Sequence, residues 1–142
     1  MNVPADALDR LAAAAVAVRA HAYAPASRFQ VGAAVLASDG RVFAGCNVEN
    51  ASYGLTICAE RAAVCAAVAA GVHQLAAIAI ATDLDEPARP CGACRQVLAE
   101  FGSTMAVLMV GRGGVRRQQR LDALLPEPFT FGSFAPRKQA DA

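Results

Sequence analysis

The spacing of three cysteines and one glutamate constrains this chain more than any other feature of its sequence. Glu60 follows Cys58 by two residues, and a later Pro-Cys-Gly-Ala-Cys segment supplies Cys91 and Cys94. Three sulfurs are one ligand short of a closed structural zinc site, which has four protein ligands. Zinc held by three protein ligands keeps a fourth position for water, and that is the arrangement of a catalytic centre. The sequence therefore predicts one catalytic Zn²⁺ per chain, in a fold that brings two distant segments together.

Other roles for these cysteines remain open on the sequence alone. A lone Cys-x-x-Cys pair in an intracellular protein also suits a redox pair or one half of a structural zinc site. A redox pair would leave Cys58 and Glu60 without a role. A structural site needs a fourth ligand, but Cys65 would lie roughly 10 Å from Cys58 along one helix. Cys46 closes an apolar run, where a small buried thiol is the common explanation.

The composition predicts a small enzyme rather than a protein that binds polymers or membranes. With 142 residues, 56% of them hydrophobic, we expect a single domain over 1–142 with a tail at 130–142. A net charge of +1 and an aromatic content of 6%, without tryptophan, argue against nucleic-acid binding. The apolar run at 11–18 is too short to span a membrane and follows acidic residues. Five cysteines, three of them assigned to a metal, predict a reducing, cytoplasmic location.

Hydrophobic periodicity predicts helices and strands in alternation. A two-residue Asp39-Gly40 turn joins the first two predicted strands, and Gly71 caps the second helix. The order calls for one mixed sheet with helices on its faces. By residue number, the predicted elements are helix 8–18, strands 29–35 and 41–46, helix 58–70, strand 75–81, helix 91–101, strand 105–110, an edge strand at 115–121 and a short helical turn at 121–125.

The predicted zinc ligands stand where helices begin. Cys58 opens one predicted helix, and Cys91 with Cys94 opens another; unpaired N–H groups and the helix dipole favour thiolates at such positions. Three thiolates donate much negative charge, which Arg61 and Arg95 could reduce by hydrogen-bonding the sulfurs. For Arg95, an exposed helix arginine is the alternative. Glu60 can reach the open coordination position without occupying it, so we expect it to carry protons between water and substrate. Helix capping is the alternative role for Glu60.

Four ordered blocks carry a resemblance to a known family. They are Phe-Gln-Val-Gly-Ala-Ala from residue 29, Gly-Cys-Asn-Val-Glu-Asn-Ala-Ser-Tyr from 45, Cys-Ala-Glu-Arg from 58, and Pro-Cys-Gly-Ala-Cys-Arg-Gln-Val-Leu from 90. The two cysteine blocks match the known signature of zinc-dependent nucleobase deaminases. Over roughly residues 20–128, the four together resemble the free-nucleoside cytidine deaminases of the small, tetrameric type. The resemblance implies an α/β fold, a three-layer α-β-α sandwich with a mixed five-stranded sheet. It also implies hydrolytic deamination of cytidine and deoxycytidine in pyrimidine salvage, by a homotetramer with shared active sites.

The resemblance further implies which residues meet the nucleoside. Asn47 and Glu49 would grip the ribose hydroxyls, and in an extended segment these two side chains face the same side. An Asx turn with a solvated glutamate is the alternative for that pair, and core packing is the alternative for the phenylalanines. The residues that we assign to substrate binding are Phe29, which packs on the nucleoside, Asn47, Val48, Glu49, Ala59, and Phe129, which reaches the site of a neighbouring subunit.

Two features depart from the family pattern or go beyond it. Ala26 replaces the second aromatic residue of a Tyr-x-Pro-Tyr-Ser loop, which predicts a reshaped loop. For this reason a deaminase of a modified or antibiotic cytosine nucleoside is the alternative function, whereas the intact Glu60 argues against a zinc module without catalysis. Four arginines at 112–120 suit a solvated face, protection of an edge strand, or a subunit contact. The alanine-rich helix at 58–70 suits either a subunit contact or the domain core.

Overall fold

The computed structural model describes residues 2–133, and its elements follow the predicted order. Of the tail predicted at 130–142, residues 134–142 lie outside this described part. No helix within 2–133 is both long enough and apolar enough to cross a membrane. The helices and strands are α1 (Ala5–Arg19), β1 (Gly32–Ala37), β2 (Val42–Cys46), α2 (Ala59–Ala69), β3 (Leu75–Ala81), α3 (Gly92–Gly102), β4 (Ala106–Val110), β5 (Arg116–Arg120) and α4 (Leu121–Leu124).

The five strands form one mixed sheet in the order β2-β1-β3-β4-β5. Strands β3 and β4 are parallel, and the other neighbouring pairs are antiparallel. A parallel pair needs a crossover connection, which α3 provides here. The carboxyl ends of β3 and β4 consequently lie next to each other, at the same end of the parallel strands.

Helices cover both faces of the sheet. Helix α1 buries Leu11 and Ala15 against one face, while α2 and α3 bury Ala63 and Leu98 against the other. Every residue of β1 is buried. The sequence predicted this strand at 29–35, whereas β1 spans Gly32–Ala37, and the two helix layers leave it no solvent side. The three-layer α-β-α sandwich with a mixed five-stranded sheet is thus confirmed.

Helix α2 lies unusually close to the sheet. A Cβ atom at Gly45 on β2 would overlap the backbone nitrogen of Ala63 on α2, so only glycine fits there. Ala63 and Ala67 are fully buried at this contact, whereas Cys65 and Val68 are exposed. One side of the alanine-rich helix therefore serves the domain core, and the opposite side remains on the surface.

The turn between β1 and β2 is longer than predicted. The Ala37 amide donates to the Arg41 carbonyl (2.8 Å), so the loop contains three residues, 38–40, instead of two. Gly40 has a φ of +90°. A left-handed glycine at the end of a three-residue loop is a common hairpin geometry, because it accommodates a bulge.

The basic segment at 112–120 is exposed and paired with acids. All five residues of β5 are exposed at the edge of the sheet. Exposed ion pairs contribute about 0–1 kcal/mol each, so these pairs add little stability, although they offset the positive charge of the segment. The pairs are Arg112 with Asp83 and Asp85, Arg116 with Asp9, Arg117 with Glu86, and Arg120 with Asp122.

Candidate metal centre and substrate cleft

Two helix N-termini bring the three predicted ligand sulfurs together. Cys58 is the N-cap residue of α2, Cys91 is the N-cap residue of α3, and Cys94 lies in the first turn of α3. Their three Sγ atoms all lie within 4.8 Å of one another. Three sulfurs this close can bind one ion, and the chemistry of three cysteine donors suits zinc.

The electrostatics of the cluster also call for a cation. Cys94 is fully buried. Burial and then the negative charge of Glu60 raise the pKa of the Cys94 thiol well above its ordinary value. Adjacent thiolates beside a carboxylate repel one another, and a divalent cation bound among them relieves that repulsion. The donor set therefore fits Zn²⁺, as the sequence predicts.

The two remaining cysteines stand apart from this cluster. Among residues 2–133, the only group of three or more side chains placed to hold a metal is Cys58, Cys91 and Cys94. Cys65 is exposed on the outer side of α2, and Cys46 is half-buried at the end of β2. The described structure thus offers neither thiol as a fourth ligand.

Arg61 contacts the cluster directly. Its Nη2 donates to Cys58 Sγ (3.3 Å) and to the Thr56 carbonyl (3.4 Å). The hydrogen bond with Cys58 raises the pKa of the Arg61 guanidinium. Its position one turn after Cys58 is the geometry that the sequence suggested for a residue moderating the charge on the sulfurs.

Arg95, which directly follows Cys94, serves a different purpose. Its Nε donates to the Pro90 carbonyl (2.8 Å) and its Nη1 to the Leu124 carbonyl (2.9 Å). These bonds join the loop before α3 to the end of α4. Arg95 therefore fixes the backbone around the metal centre rather than the sulfurs.

Glu60 lies in the first turn of α2, beside the cluster, and only 6% of its surface is exposed. Burial raises the pKa of its carboxyl group above the ordinary value. A raised pKa brings a carboxyl nearer to the range in which it both accepts and releases protons at neutral pH. The side chain also lines a cleft that leads to the cysteines.

This cleft has a volume of about 230 Å³. An adjoining recess shares Ser27, Glu49 and Thr56 with the cleft. We therefore call the part of the cleft that these three residues line its outer end. Buried Glu60 marks the inner end, next to the cysteines. The residues that line the cleft are Ser27, Phe29, Val31, Asn47, Glu49, Thr56, Cys58, Ala59, Glu60, Ile80, Thr82, Ala88, Arg89 and Cys91.

Asn47 lines the cleft and at the same time holds one of its walls. Its Nδ2 donates to the Phe29 carbonyl (2.8 Å), and its Oδ1 accepts from the Val31 amide (2.8 Å). Asn47 is 8% exposed. This pair of hydrogen bonds imitates the pairing with a neighbouring strand, and it fixes the segment that carries Phe29.

Glu49 holds the neighbouring loop in a similar way. Its Oε1 accepts from the backbone amides of Ala26 (2.8 Å) and Ser27 (3.1 Å). Hydrogen bonds from Ser27, through its side chain and its amide, and from the Ala26 amide lower the pKa of the Glu49 carboxyl below its ordinary value. The loop around Ala26 is thus anchored through its backbone, which needs no second aromatic side chain.

The other residues assigned to substrate binding differ in their positions. Phe29, 38% exposed, and buried Ala59 both line the cleft. Val48 is 43% exposed and is not among the lining residues, because side chains alternate and its neighbours Asn47 and Glu49 face the cleft. Phe129 is 63% exposed and does not line the cleft of its own chain.

Sequence reasoning missed Thr82 and Arg89 as lining residues. Thr82 is the first residue after β3, and ligands of sheets with parallel strands commonly bind at the carboxyl ends of those strands. That signal was available in the sequence. Arg89 precedes the Pro-Cys-Gly-Ala-Cys segment by one residue, and nothing in its local pattern distinguishes it from an ordinary surface arginine.

Comparisons with known proteins agree with this geometry. The family model for the cytidine and deoxycytidylate deaminase zinc-binding region matches residues 6–110. A cytidine deaminase of Sporosarcina psychrophila is 44% identical over 124 residues, which cover 87% of this chain and 91% of the relative. One of Halalkalibacterium halodurans is 48% identical over 117 residues, covering 82% and 89% respectively. A crystal structure of the cytidine deaminase of Burkholderia pseudomallei matches with a TM-score of 0.82 and 50% identity, over 85% of this chain and 98% of that one.

The match extends well beyond the two cysteine blocks, since the family model covers residues 6–110 and the Burkholderia structure covers 85% of this chain. It includes the segments that supply the sulfur cluster and Glu60. The chain therefore belongs to the zinc-binding cytidine and deoxycytidylate deaminase family.

Proposed function

We propose that this protein hydrolyses cytidine and deoxycytidine to uridine and deoxyuridine, with release of ammonia. The observation that carries the proposal is the cluster of three sulfurs within 4.8 Å, with buried Glu60 in the same cleft. The names of the similar proteins, which are cytidine deaminases, support the choice of substrate.

Within this reaction, Glu60 moves the protons. Zinc bound by Cys58, Cys91 and Cys94 would supply the Lewis acidity that makes a water molecule nucleophilic near neutral pH. Glu60 accepts a proton from the attacking water and delivers it to the ring nitrogen beside the amino-bearing carbon. Glu60 then takes the second proton, from the hydroxyl group now attached to the ring carbon, and gives it to the amino group as the C–N bond breaks. One water is consumed, and one ammonia and one uracil nucleoside are formed.

Arg61 adjusts the charge of the metal centre. Three thiolate ligands reduce the acidity that a bound metal can confer on water. By hydrogen-bonding Cys58 Sγ, Arg61 withdraws part of that negative charge. We therefore assign Arg61 a role in tuning the site, without direct contact to the nucleoside.

The sugar occupies the outer end of the cleft in this proposal. Asn47 and Glu49 bind the ribose hydroxyls through the hydrogen-bonding capacity that their loop contacts leave over. Because those contacts already fix both side chains, little ordering is needed when substrate binds. Phe29 packs on the nucleoside, and Ala59 closes the cleft at the start of α2. Val48 remains a predicted contact on the strength of the family resemblance alone.

We also propose that the protein is a cytoplasmic homotetramer acting in pyrimidine salvage, with residues 1–142 as one domain and 130–142 as its tail. Exposed apolar side chains support assembly: Tyr53 is 78% exposed, Leu55 66% and Phe129 63%. A domain this small rarely leaves so many large apolar groups in water unless a partner covers them. Phe129 would then enter the cleft of a neighbouring copy.

Ammonia release from cytidine, deoxycytidine and a panel of modified cytosine nucleosides tests the proposal. The zinc-loaded protein should act on the first two, while its Glu60→Gln variant serves as the control that binds zinc without turnover. Activity confined to a modified cytosine nucleoside would contradict the proposed substrate. A protein that holds zinc but releases no ammonia from any of them would contradict the enzyme assignment itself.

A further inference from the structure

Thr82 carries a buried hydroxyl group that the fold leaves without a partner. The residue is 4% exposed, and its Oγ1 makes no hydrogen bond to any residue in the described part of the chain. Within the described part of the chain, the other buried side-chain nitrogen or oxygen without a hydrogen-bond partner is Nε of Arg61, whose guanidinium already contacts Cys58. Burying a hydroxyl without a partner is costly, so such groups call for an explanation.

The backbone around Thr82 fixes the side to which its side chain points. Its amide donates to the Val110 carbonyl (3.0 Å), which continues the parallel pairing of β3 with β4. Side chains alternate along a strand. Ile80 packs in the cluster beneath α2 and α3, and Ala81 in the cluster beneath α1. Thr82 therefore lies on the α2 side, together with Glu60, and both line the cleft.

The depth of Thr82 indicates which part of a nucleoside it meets. The outer end of the cleft, at Ser27 and Glu49, is open to the adjoining recess. Glu60 lies at the inner end beside the cysteines, and Thr82 lines the same cleft from the same side of the sheet, buried as deeply as Glu60 (4% and 6% exposed). The amino-bearing carbon must approach the cysteines and Glu60, so the pyrimidine fills the inner end and the sugar the outer one.

We propose that the Thr82 hydroxyl hydrogen-bonds the polar edge of the pyrimidine ring. This inference rests on the proposed function, because it assumes a cytosine nucleoside in the cleft. A hydroxyl group both donates and accepts, and so it can pair with a ring carbonyl oxygen or with the exocyclic amine. Rotation of the Thr82 side chain to another χ1 rotamer places Oγ1 where the methyl group had been, and the backbone does not move. A substrate hydrogen bond supplies the partner that the free fold lacks.

Two substitutions at this position separate the hydroxyl from the methyl. Thr82→Val keeps the shape and removes the hydroxyl, whereas Thr82→Ser keeps the hydroxyl and removes the methyl. We expect kcat/KM of Thr82→Val to fall about five- to tenfold, the usual effect of one lost hydrogen bond. Cytidine and deoxycytidine should be affected equally, since they share the base. Thr82→Ser should stay near the parental value, as should Thr104→Val, the same change at an exposed turn.

Stability distinguishes substrate binding from a merely structural role. Thr82→Val removes an unpaired buried hydroxyl, so its melting temperature should equal or exceed that of the parent, with zinc content unchanged. Parental kcat/KM in Thr82→Val would overturn the inference. Equal losses in the valine and serine variants would do the same, because packing would then explain both. A loss confined to cytidine or to deoxycytidine would place the hydroxyl at the sugar instead.

The calorimetric affinity for uridine tests the inference independently of turnover. Thr82→Val should bind uridine about five- to tenfold more weakly than the parent does. If the parent fails to deaminate cytidine, the proposed function falls. If uridine binds the parent and Thr82→Val equally well, the role of Thr82 falls.

Discussion

The side-chain amide of Gln96 pairs with the backbone of Phe129 through two hydrogen bonds. Gln96 Nε2 donates to the Phe129 carbonyl (2.7 Å), and the Phe129 amide donates to Gln96 Oε1 (3.1 Å). Gln96 lies on α3 two residues after Cys94, so the helix that carries two zinc ligands also holds Phe129. The ring of Phe129 nevertheless does not line the cleft of its own chain.

From this relationship we predict that Phe129→Ala impairs catalysis without loss of zinc. If the ring completes a neighbouring cleft, its removal should raise KM for cytidine, because stacking of a base on an aromatic ring contributes about 1–3 kcal/mol. Gln96→Ala should raise KM in the same direction by releasing the backbone of Phe129. Steady-state kinetics and metal analysis of both variants give the measurement.

Phe131→Ala is the matched control, since Phe131 is another exposed phenylalanine two residues away. Sedimentation of the parent at micromolar concentration addresses the same idea. A fully active monomer would rule out both the tetramer and the shared site.

Zinc content should depend on three of the five cysteines. Alanine at Cys58, Cys91 or Cys94 leaves two sulfurs, which should abolish stoichiometric zinc binding and activity. Ala or Ser at Cys46 or Cys65 should retain both zinc and activity, with a stability cost of about 1 kcal/mol at half-buried Cys46.

Because cysteine binds zinc only as the deprotonated thiolate, lowering the pH should release zinc progressively. Loss of zinc in the Cys65 variant would contradict the three-ligand site.

Glu60→Gln should separate proton transfer from metal binding. The amide keeps the size of the side chain but cannot accept and release a proton, so kcat should fall at least about 100-fold, with zinc retained. Exposed Glu100 on α3 offers the matched control, Glu100→Gln, which should turn over at the parental rate. A Glu60→Gln protein with unchanged kcat would show that another group carries the proton.

The sequence alone predicted the features that depend on neighbouring residues, and it missed those that depend on contacts between residues far apart in the chain. The order of elements, the ligand positions at helix starts and the cap at Gly71 are local properties, and periodicity with turn chemistry revealed them. The two-residue turn at Asp39-Gly40 was wrong because register there depends on pairing across the hairpin. The hydrogen bonds from Asn47 to the segment around Phe29 were equally invisible, since they join residues 16 and 18 positions apart. Partnerless Thr82 can be recognised only once every neighbour is in place.

The last prediction concerns the loop that places Phe29 in the cleft. Arg28 has a φ of +59°, and among residues 2–133 it is the one non-glycine residue with a positive φ. The left-handed conformation costs a residue with a Cβ atom roughly 1–2 kcal/mol. The Arg28 amide donates to the Ala24 carbonyl, and Ser27 Oγ accepts from the Phe29 amide, so the surrounding hydrogen bonds impose the strain.

Glycine adopts this conformation without a steric penalty, but it loses more backbone entropy on folding than arginine does. Arg28→Gly should therefore stabilise the protein by a net amount of up to about 1 kcal/mol. Arg28→Val should destabilise it, since a β-branched side chain tolerates positive φ poorly. Urea unfolding measures both changes, and KM for cytidine should rise in the valine variant as Phe29 loses its fixed position. Arg28 is exposed, so either substitution loses little packing. Equal unfolding midpoints for the glycine and valine variants would mean that the loop relaxes and that no strain is held at Arg28.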